Sequence, residues 1–443
     1  MTLFGECLPE IHAAPPGAVS QAWVDRLAAS ECPALTQRRA RRAEQSGAPF
    51  DPIVWAEARG ANVRDVDGNV YVDLSAGFGA ASVGHAHPRV VDAITRQSQR
   101  LIHALGDLHP SDQKIELLSR LAALFPSADA RVMLGLSGGD AVEAALKTAL
   151  LFTDRPGVIA FEGAYHGLAH GPLAACGYSA AFRAPFEAQL NPHVQFVPYP
   201  HDMITATESL AAISGKLRAH AIGAVLIEPM LGRGGVVVPP PEFLSELAAL
   251  TRHHGALLIA DEVMTGLGRT GRMFGFQHAN MLPDLLCLGK ALGGGMPVSA
   301  CIGGSNVMAA WGRSSGEALH TGTFFGQPLA AAGAIASLDV LCDERLDERA
   351  ERVGAELMVQ LRELAARHSS IREVRGAGLL IGIELQNGAL GLRCVQALLE
   401  RGYICVPAAS DARVVSLTPP LSIARPLLAG FVAALDDALG TIA

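Results

Sequence analysis

Aromatic residues are scarce in this chain of 443 residues, at 5%, and charged residues reach only 18%. With half of the residues hydrophobic, that balance excludes a disordered chain and fits a well-buried globular protein. An excess of basic residues is missing too. The formal net charge is -8, which argues against nucleic acid as a partner. The one dense basic run, Arg38-Arg39-Ala40-Arg41-Arg42, has no interleaved aromatic residue and reads as a solvated helix face. No uncharged apolar run reaches the roughly 18 residues of a membrane span, so no membrane association is expected. The N-terminus carries Glu6 and Glu10 and lacks the basic-then-apolar pattern of a secretory signal. The eight cysteines include no CxxC pair. They read as reduced, mostly buried thiols of a cytoplasmic protein, with no metal expected. His85 and His87, beside Pro88, lack a nearby third ligand and read as turn residues.

Length alone predicts two or three domains. The 47 glycines point to many tight turns and close backbone approaches. Residues 1–18 are rich in Pro, Ala and Gly and read as a loose lead-in. Short helices are expected over 19–45, with Ser20 and Thr36 as candidate N-caps. A strand-like stretch follows from Ala61 to Leu74, broken by the turn Asp67-Gly68-Asn69.

From about residue 90 helices alternate with short apolar strands: Arg131–Leu134, Val158–Phe161, Val194–Val197, Ala224–Ile227, Leu257–Ala260, Leu285–Leu288 and Ala300–Gly303. Helices are expected between them, as over Asp140–Leu151 and Glu242–His254. This predicts a doubly wound α/β domain with a mostly parallel sheet. After 330 a smaller α+β unit follows, with a long helix near 344–367, two strands over 371–385, a helix near 391–401, a strand near 412–418 and a terminal helix. The expected division is an extension with helices (1–50), an N-terminal part of the small domain (51–85), a large domain (86–330) and a C-terminal small domain (331–443).

Four segments carry chemistry, each at or just past a strand's C-terminal end, where open α/β sheets bind ligands. The apolar strand before Asp261-Glu262 ends in two acids, and a carboxylate so close to the core needs a strong partner. A protonated pyridine nitrogen is one, and a turn cap is the structural alternative. Lys290 follows another apolar strand and precedes Gly293-Gly294-Gly295. Burial there lowers its pKa and makes a better amine nucleophile, though lysines at strand ends also snorkel to solvent. Ser137-Gly138-Gly139 opens a strong helix whose free N–H groups suit a phosphate. Tyr165, in Tyr165-His166-Gly167, stands where a ring could stack on a planar ligand, or where an ordinary half-buried tyrosine would sit.

In this order the segments resemble the class III, subgroup II (ω-type) aminotransferases, pyridoxal-5′-phosphate (PLP) enzymes of fold type I. The strongest likeness runs from Ile259-Ala260-Asp261-Glu262-Val263 through Gly266-Leu267-Gly268-Arg269-Thr270-Gly271 to Pro283-Asp284 and Lys290. Gly84-His85-Ala86-His87-Pro88, Tyr165-His166-Gly167, Glu228-Pro229, Thr323-Phe324-Phe325-Gly326-Gln327-Pro328 and Val374-Arg375-Gly376-Ala377-Gly378 support it. The resemblance covers about residue 50 to the C-terminus.

It implies that Lys290 forms the Schiff base with PLP and later shuttles the proton. Asp261 pairs with the ring nitrogen, Val263 and Tyr165 cover the ring's two faces, and Ser137, Gly138 and Gly139 hold the phosphate. His166 and Glu228 belong to the same cofactor set. Thr323 reaches the phosphate of the neighbouring subunit, so a homodimer with shared sites is implied. Phe78 is a candidate substrate-pocket residue, or an ordinary core phenylalanine.

Departures from the family pattern fall on the substrate side. Many members have an arginine where this chain has Ser416, and a glutamate where it has Arg233. Members acting on 4-aminobutyrate-like substrates often have an arginine where Leu168 stands. The chain is therefore expected to accept amines without an α-carboxylate, or amino acids with a remote one. Arg233 would hold any carboxylate; the alternative has it pointing to solvent from a turn. The leading reading is transfer of an amino group from an amine or amino-acid donor to an oxo acid or aldehyde. An amino-acid racemase, epimerase or aminomutase shares every cofactor residue named here, and would return an isomerised donor rather than a free oxo product. A non-catalytic PLP-fold regulator would need an added DNA-binding module, for which the N-terminus leaves little room.

Overall fold

The computed structural model describes residues 4–47, 52–219, 221–313 and 316–442. The expected boundary between residues 50 and 51 lies outside them. Strands β1 (Trp55–Arg59), β2 (Asn62–Asp65) and β3 (Val70–Asp73) form an antiparallel meander. The turn between β2 and β3 is the expected one, with Gly68 at φ 92°. Then come β4 (Arg131–Gly135), β5 (Gly157–Phe161), β6 (Val194–Val197), β7 (Ile222–Ile227), β8 (Leu257–Asp261), β9 (Leu285–Leu288) and β10 (Ser299–Gly303). These seven form one sheet in the order β4-β10-β9-β8-β7-β5-β6. Neighbours are parallel except around β10, which runs antiparallel to both β4 and β9. All seven expected strands are present within two residues of their predicted ends, and the chain has the expected α/β architecture.

The interior of that sheet explains the lack of alternation in its strands. Every residue of β5, β7, β8, β9 and β10 is buried, because helices cover both faces. Phe161 on β5 packs edge-on against Tyr199 and Phe243, at 5.7 and 6.1 Å between ring centres. Buried aromatic rings of this kind hold roughly 3–5 kcal/mol each.

The last strands are β11 (Ile371–Ala377), β12 (Leu380–Leu385), β13 (Tyr403–Ile404), β14 (Val406–Ala408) and β15 (Val414–Leu417). A third sheet runs β11-β12-β15-β14, while β13 leaves it to pair in parallel with β3. The N-terminal meander therefore continues into C-terminal backbone. The long helix spans Leu346–Ala365 and the terminal one Arg425–Ile442. Among the described residues no helix is long and apolar enough to cross a membrane.

The N-terminal region differs from expectation in two ways. Helices α1 (Ala18–Ser30) and α2 (Pro33–Ser46) start after Gly17 and Cys32, so Ser20 and Thr36 lie inside them and cap neither. The cap of α1 comes from the distant hairpin turn. The Asp67 carboxylate accepts from the N–H groups of Val19 and Ser20 at 2.8 and 2.9 Å, satisfying donors the helix itself leaves open. Nor are the described residues before α1 loose. Asn62 accepts from the N–H groups of Gly5 and Cys7, and Asn69 from those of His12 and Ala13. Two side-chain amides thus add to the antiparallel backbone bridge between Glu10 and Val70 in holding this stretch.

Candidate active site

Asp261 ends β8, and the ladder to β9 continues one residue further through Glu262 N–H to Cys287 O at 2.9 Å. Extended backbone through both acids sends their side chains to opposite faces. Glu262 turns into the protein and is fully engaged. It accepts from Thr265 Oγ1 and from the N–H groups of Gly275 and Phe276, all within 2.8 Å. Asp261 turns into the cleft. Its Oδ1 accepts from Val263 N–H at 3.1 Å and its Oδ2 faces His166 Nδ1 at 2.7 Å. A carboxylate only accepts, so Nδ1 carries the proton. His166 Nε2 is buried with no partner among the described residues.

Glu228 ends up with both oxygens committed to backbone. Oε1 accepts from Tyr165 N–H at 2.8 Å and Oε2 from Gly232 N–H at 2.9 Å. It thereby ties the Tyr165 loop to the loop after β7. Burial raises its pKa, and nearby His166 opposes that rise.

Lys290 follows β9 after a single glycine and sits at φ 42°, a strained value for a side chain with a Cβ. It makes no hydrogen bond or ion pair to a described residue. Burial lowers its pKa, with the charges of Asp261 and Glu228 pulling the other way. The surface it keeps faces the cleft, where Gly79 approaches its Cδ. Phe78, next to Gly79, also has a positive φ, of 60°, and is 66% exposed. It lies at the cleft's lip and is not a core phenylalanine.

Helix α3 (Gly138–Thr153) begins on the same edge of the sheet. Ser137 caps it through a reciprocal pairing with Asp140. No described group accepts from the N–H groups of Gly138 or Gly139, which stand at the positive end of a helix of 16 residues. A side chain on Gly138 would collide with Val263 at 2.7 Å, so glycine is required where that valine covers the cleft floor. A planar pyridinium ring bearing a phosphate fits these groups one by one: an open N–H pair for the phosphate, a buried carboxylate for the ring nitrogen, and an unpaired lysine.

On the substrate side, Arg233 does not point away to solvent. Its guanidinium lies over the Tyr165 ring at 4.3 Å and the Tyr178 ring at 4.7 Å, with Phe182 at 5.7 Å. It makes no hydrogen bond or ion pair through its side chain to a described residue. Its loop is pinned by Arg375, which donates to the carbonyls of Gly235 and Val236. Ser416 is buried on β15, between Gly382 on β12 and Val406 on β14. Leu168 is exposed. Thr323 is exposed in the loop before the helix Pro328–Asp343 and is not brought to Ser137 by any described contact. His85 and His87 face separate acids, Asp73 at 2.8 Å and Glu344 at 3.7 Å. Tyr178, absent from the sequence reading, is central to the Arg233 cage. It stands edge-on to Tyr165 and anchors its hydroxyl on Ala409 O at 2.9 Å.

Comparison with known proteins gives the family of the chain. The family model for aminotransferase class-III matches residues 43–439. An acetylornithine aminotransferase of Methanopyrus kandleri is 39% identical over 388 residues, covering 88% of this chain and 94% of that protein. The ornithine aminotransferase of Toxoplasma gondii superposes with a TM-score of 0.79 at 34% identity, over 88% of this chain and 91% of the other. An amine transaminase from an uncultivated Pseudomonas species, solved with PLP, has a TM-score of 0.84 at 28% identity, over 89% and 96%. The chain belongs to the class III aminotransferases and is a PLP-dependent transaminase acting on small amine and oxo compounds.

Proposed function

We propose that transamination here is carried by Lys290, with Asp261 holding the cofactor's ring nitrogen. The supporting observation is the desolvated Lys290 amine, unpaired among the described residues, beside a carboxylate that accepts from His166 and Val263. Bound PLP supplies a reactive aldehyde and an electron sink. Lys290 Nζ is placed to take a proton from the donor's amine-bearing carbon and would hand it on to the cofactor, acting as base and then as acid. The hydrogen bond from His166 Nδ1 orients the Asp261 carboxylate towards the ring, and Val263 and Tyr165 would hold the ring between them. The helix start at Ser137, Gly138 and Gly139 takes the phosphate. Glu228 serves indirectly, by fixing Tyr165.

A homodimer completes the reading. The loops around 101–108 and 319–324 expose Ile102, Leu105, Leu108, Leu319 and Phe324, and they touch through His103 and Phe324 at 5.0 Å. Such an apolar patch asks for a partner surface. Thr323 lies inside it, where a second copy's phosphate would meet it. The cysteines, all free thiols, fit a reducing cytoplasm.

On the substrate side, Arg233 holds a carboxylate remote from the reacting amine, and Ser416 leaves no grip for an α-carboxylate. The acetylornithine and ornithine aminotransferases set the frame of ω-amino substrates. Borohydride reduction should fix the cofactor on a peptide containing Lys290, and Lys290→Ala should abolish turnover. Donor alone should leave the pyridoxamine form and a free oxo product. A label on another lysine would overturn the assignment, and an inverted donor would reveal an isomerase.

A further inference from the structure

The loop that carries Arg233 closes on itself. Leu231 N–H donates to Val237 O at 3.0 Å, and the N–H groups of Gly235 and Val236 both donate to Gly232 O. Within it Val236 stands at φ 53°, a left-handed value that a β-branched side chain adopts only under constraint. Backbone of this kind persists where its surroundings over-determine it. Here the third sheet does so. Val236 is fully buried, and a Cβ added to Gly382 of β12 would stand 2.9 Å from the Val236 Cβ.

Two fastenings from the same sheet complete the constraint. Arg375 on β11 commits all three guanidinium nitrogens. Nε and Nη2 donate to Gly235 O at 3.2 and 2.7 Å, and Nε also reaches Val236 O at 3.0 Å. Nη1 donates to Glu384 at 2.5 Å and Glu373 at 2.6 Å, two acids that face each other across β11 and β12. The acids hold the fork still, and the fork holds the loop.

The second fastening is Ala409, in the turn between β14 and β15. Its N–H donates to Arg233 O at 3.0 Å, and its carbonyl accepts from Tyr178 Oη at 2.9 Å. The Tyr178 ring carries the Arg233 guanidinium at 4.7 Å. One turn of the third sheet therefore fixes both the main chain of Arg233 and a ring beneath its side chain. No group of the cofactor set comes from Val374-Arg375-Gly376-Ala377-Gly378, although that stretch carries part of the family likeness.

We propose that Arg375 is a positioning residue for substrate carboxylates. It acts by holding the loop in which Arg233 stands, so that the third sheet sets the preference for acid-bearing amines. The inference rests on the reading of Arg233 as the carboxylate holder and extends it to the residues that place the guanidinium. A forked, charge-assisted pair tolerates little misplacement, so a shift of the loop weakens the grip. Tyr178 assists through its hydroxyl on Ala409. Lysine cannot stand in for Arg375, because one ammonium cannot reproduce a planar fork that serves two carbonyls on one side and two acids on the other.

The test uses Arg375→Lys, which keeps the charge between Glu373 and Glu384 and loses the fork. Titration calorimetry of the PLP-loaded enzyme with pentanoate, which has no amine, reads the carboxylate grip without turnover. Affinity should fall about tenfold. In an Arg233→Ala background the same substitution should cost pentanoate nothing further, since the two changes remove one interaction. In turnover, kcat/KM for 5-aminopentanoate should fall about tenfold more than that for pentylamine, mainly through KM. Tyr178→Phe keeps the ring, disturbs no ion pair and should act in the same direction, by about threefold. It carries the test if Arg375→Lys does not fold. Equal losses for 5-aminopentanoate and pentylamine, or an undiminished pentanoate loss in the Arg233→Ala background, would reduce Arg375 to general support and overturn the proposal. Failure of the underlying reading looks different. An Arg233→Ala enzyme that binds pentanoate as before sinks the Arg233 reading and this proposal with it. If Arg233→Ala loses pentanoate while Arg375→Lys and Tyr178→Phe do not, the positioning proposal alone is overturned.

Discussion

Two adjacent carboxylates, Asp261 and Glu262, and two buried or half-buried arginines, Arg233 and Arg269, divide the centre of this molecule. Glu262 and Arg269 are saturated. Glu262 takes three donors, and Arg269 gives to the carbonyls of Leu379 and Pro419 and to Ser82 Oγ. Asp261 and Arg233 are left with bonding capacity to spare. Asp261 faces a lysine with no partner among the described residues, and Arg233 rests on rings alone. Charge type and burial do not separate the pairs, since Asp261 is as buried as Glu262. Filled hydrogen-bonding capacity does. A saturated ionic group fixes the chain that surrounds it, and an unsaturated one in a cleft is held ready for a ligand.

The sharpest way to break that contrast is to remove the saturated arginine. Arg269 is fully buried with no ion pair to a described carboxylate, and burial brings its pKa down to about 9, so it remains a cation at neutral pH. Arg269→Met would strand three acceptors that join the cleft lip, the β11–β12 turn and the segment after β15. We expect a stability loss of roughly 3–5 kcal/mol, read by urea unfolding of the PLP-loaded enzyme. A variant of normal stability and reduced rate would place Arg269 with the functional pair.

Asp261→Asn tests the other side. The shape is kept and the charge proposed to face the ring nitrogen is lost. Turnover should fall ~100-fold, about 2.7 kcal/mol, with weaker cofactor binding and little change in melting temperature. A rate near normal would mean that the electron sink is arranged by another group.

The strands of the large sheet were legible because each is a short apolar run bounded by turns, and burial on both faces allows no other pattern. The direction of β10 was not legible, since Ser299–Gly303 is apolar at every position except its first and reads the same either way. The cap of α1 was hidden for a different reason. Asp67 reaches it from 48 residues away in sequence, and local capping rules see only neighbours. Lys290, Asp261 and the Ser137-Gly138-Gly139 turn were visible as strand ends and a helix start. Tyr178 was not. It reaches Tyr165 because the intervening loop closes, through Gly163 N–H to Gly177 O at 3.0 Å, and no spacing rule announces that closure. Ser137-Gly138-Gly139 stands out in the sequence as a helix start, whereas the Arg233 cage required the Tyr178–Phe182 segment to fold back onto Tyr165.

Arg233 should show its unsaturated character as substrate selectivity. Arg233→Ala removes a guanidinium that rests on rings and has no polar partner among the described residues, so the fold should lose little. Acid-bearing substrates should lose about 2 kcal/mol in kcat/KM relative to simple amines, the scale of a charge-assisted hydrogen bond. Equal losses for both classes would make the arginine a prop for Tyr165, and so move it to the structural side of the comparison.

The smallest effect concerns Glu262, where saturation and burial compete. Burial pushes its carboxyl up to about 7 from the usual 4.5, and the Phe276, Gly275 and Thr265 donors oppose that rise only in part. The folded protein therefore binds this proton more tightly than the unfolded chain does. Stability from this group is full below about pH 4.5 and is lost as pH rises through about 7. Most of the loss within the working range falls between about pH 6 and 8, where it amounts to about 1 kcal/mol. Glu262→Gln cannot titrate, and its amide would set N–H against a donor it now accepts from, so it should start less stable at every pH. Its stability difference from the unsubstituted enzyme should then shrink by about that 1 kcal/mol as pH rises from about 6 to about 8, measured by urea unfolding at saturating cofactor. A difference that stays constant over that range would mean that the three donors win and the carboxylate stays ionised throughout. Glu262 would then be a saturated anion with the charge state of Asp261, and only the supply of donors would distinguish the two acids.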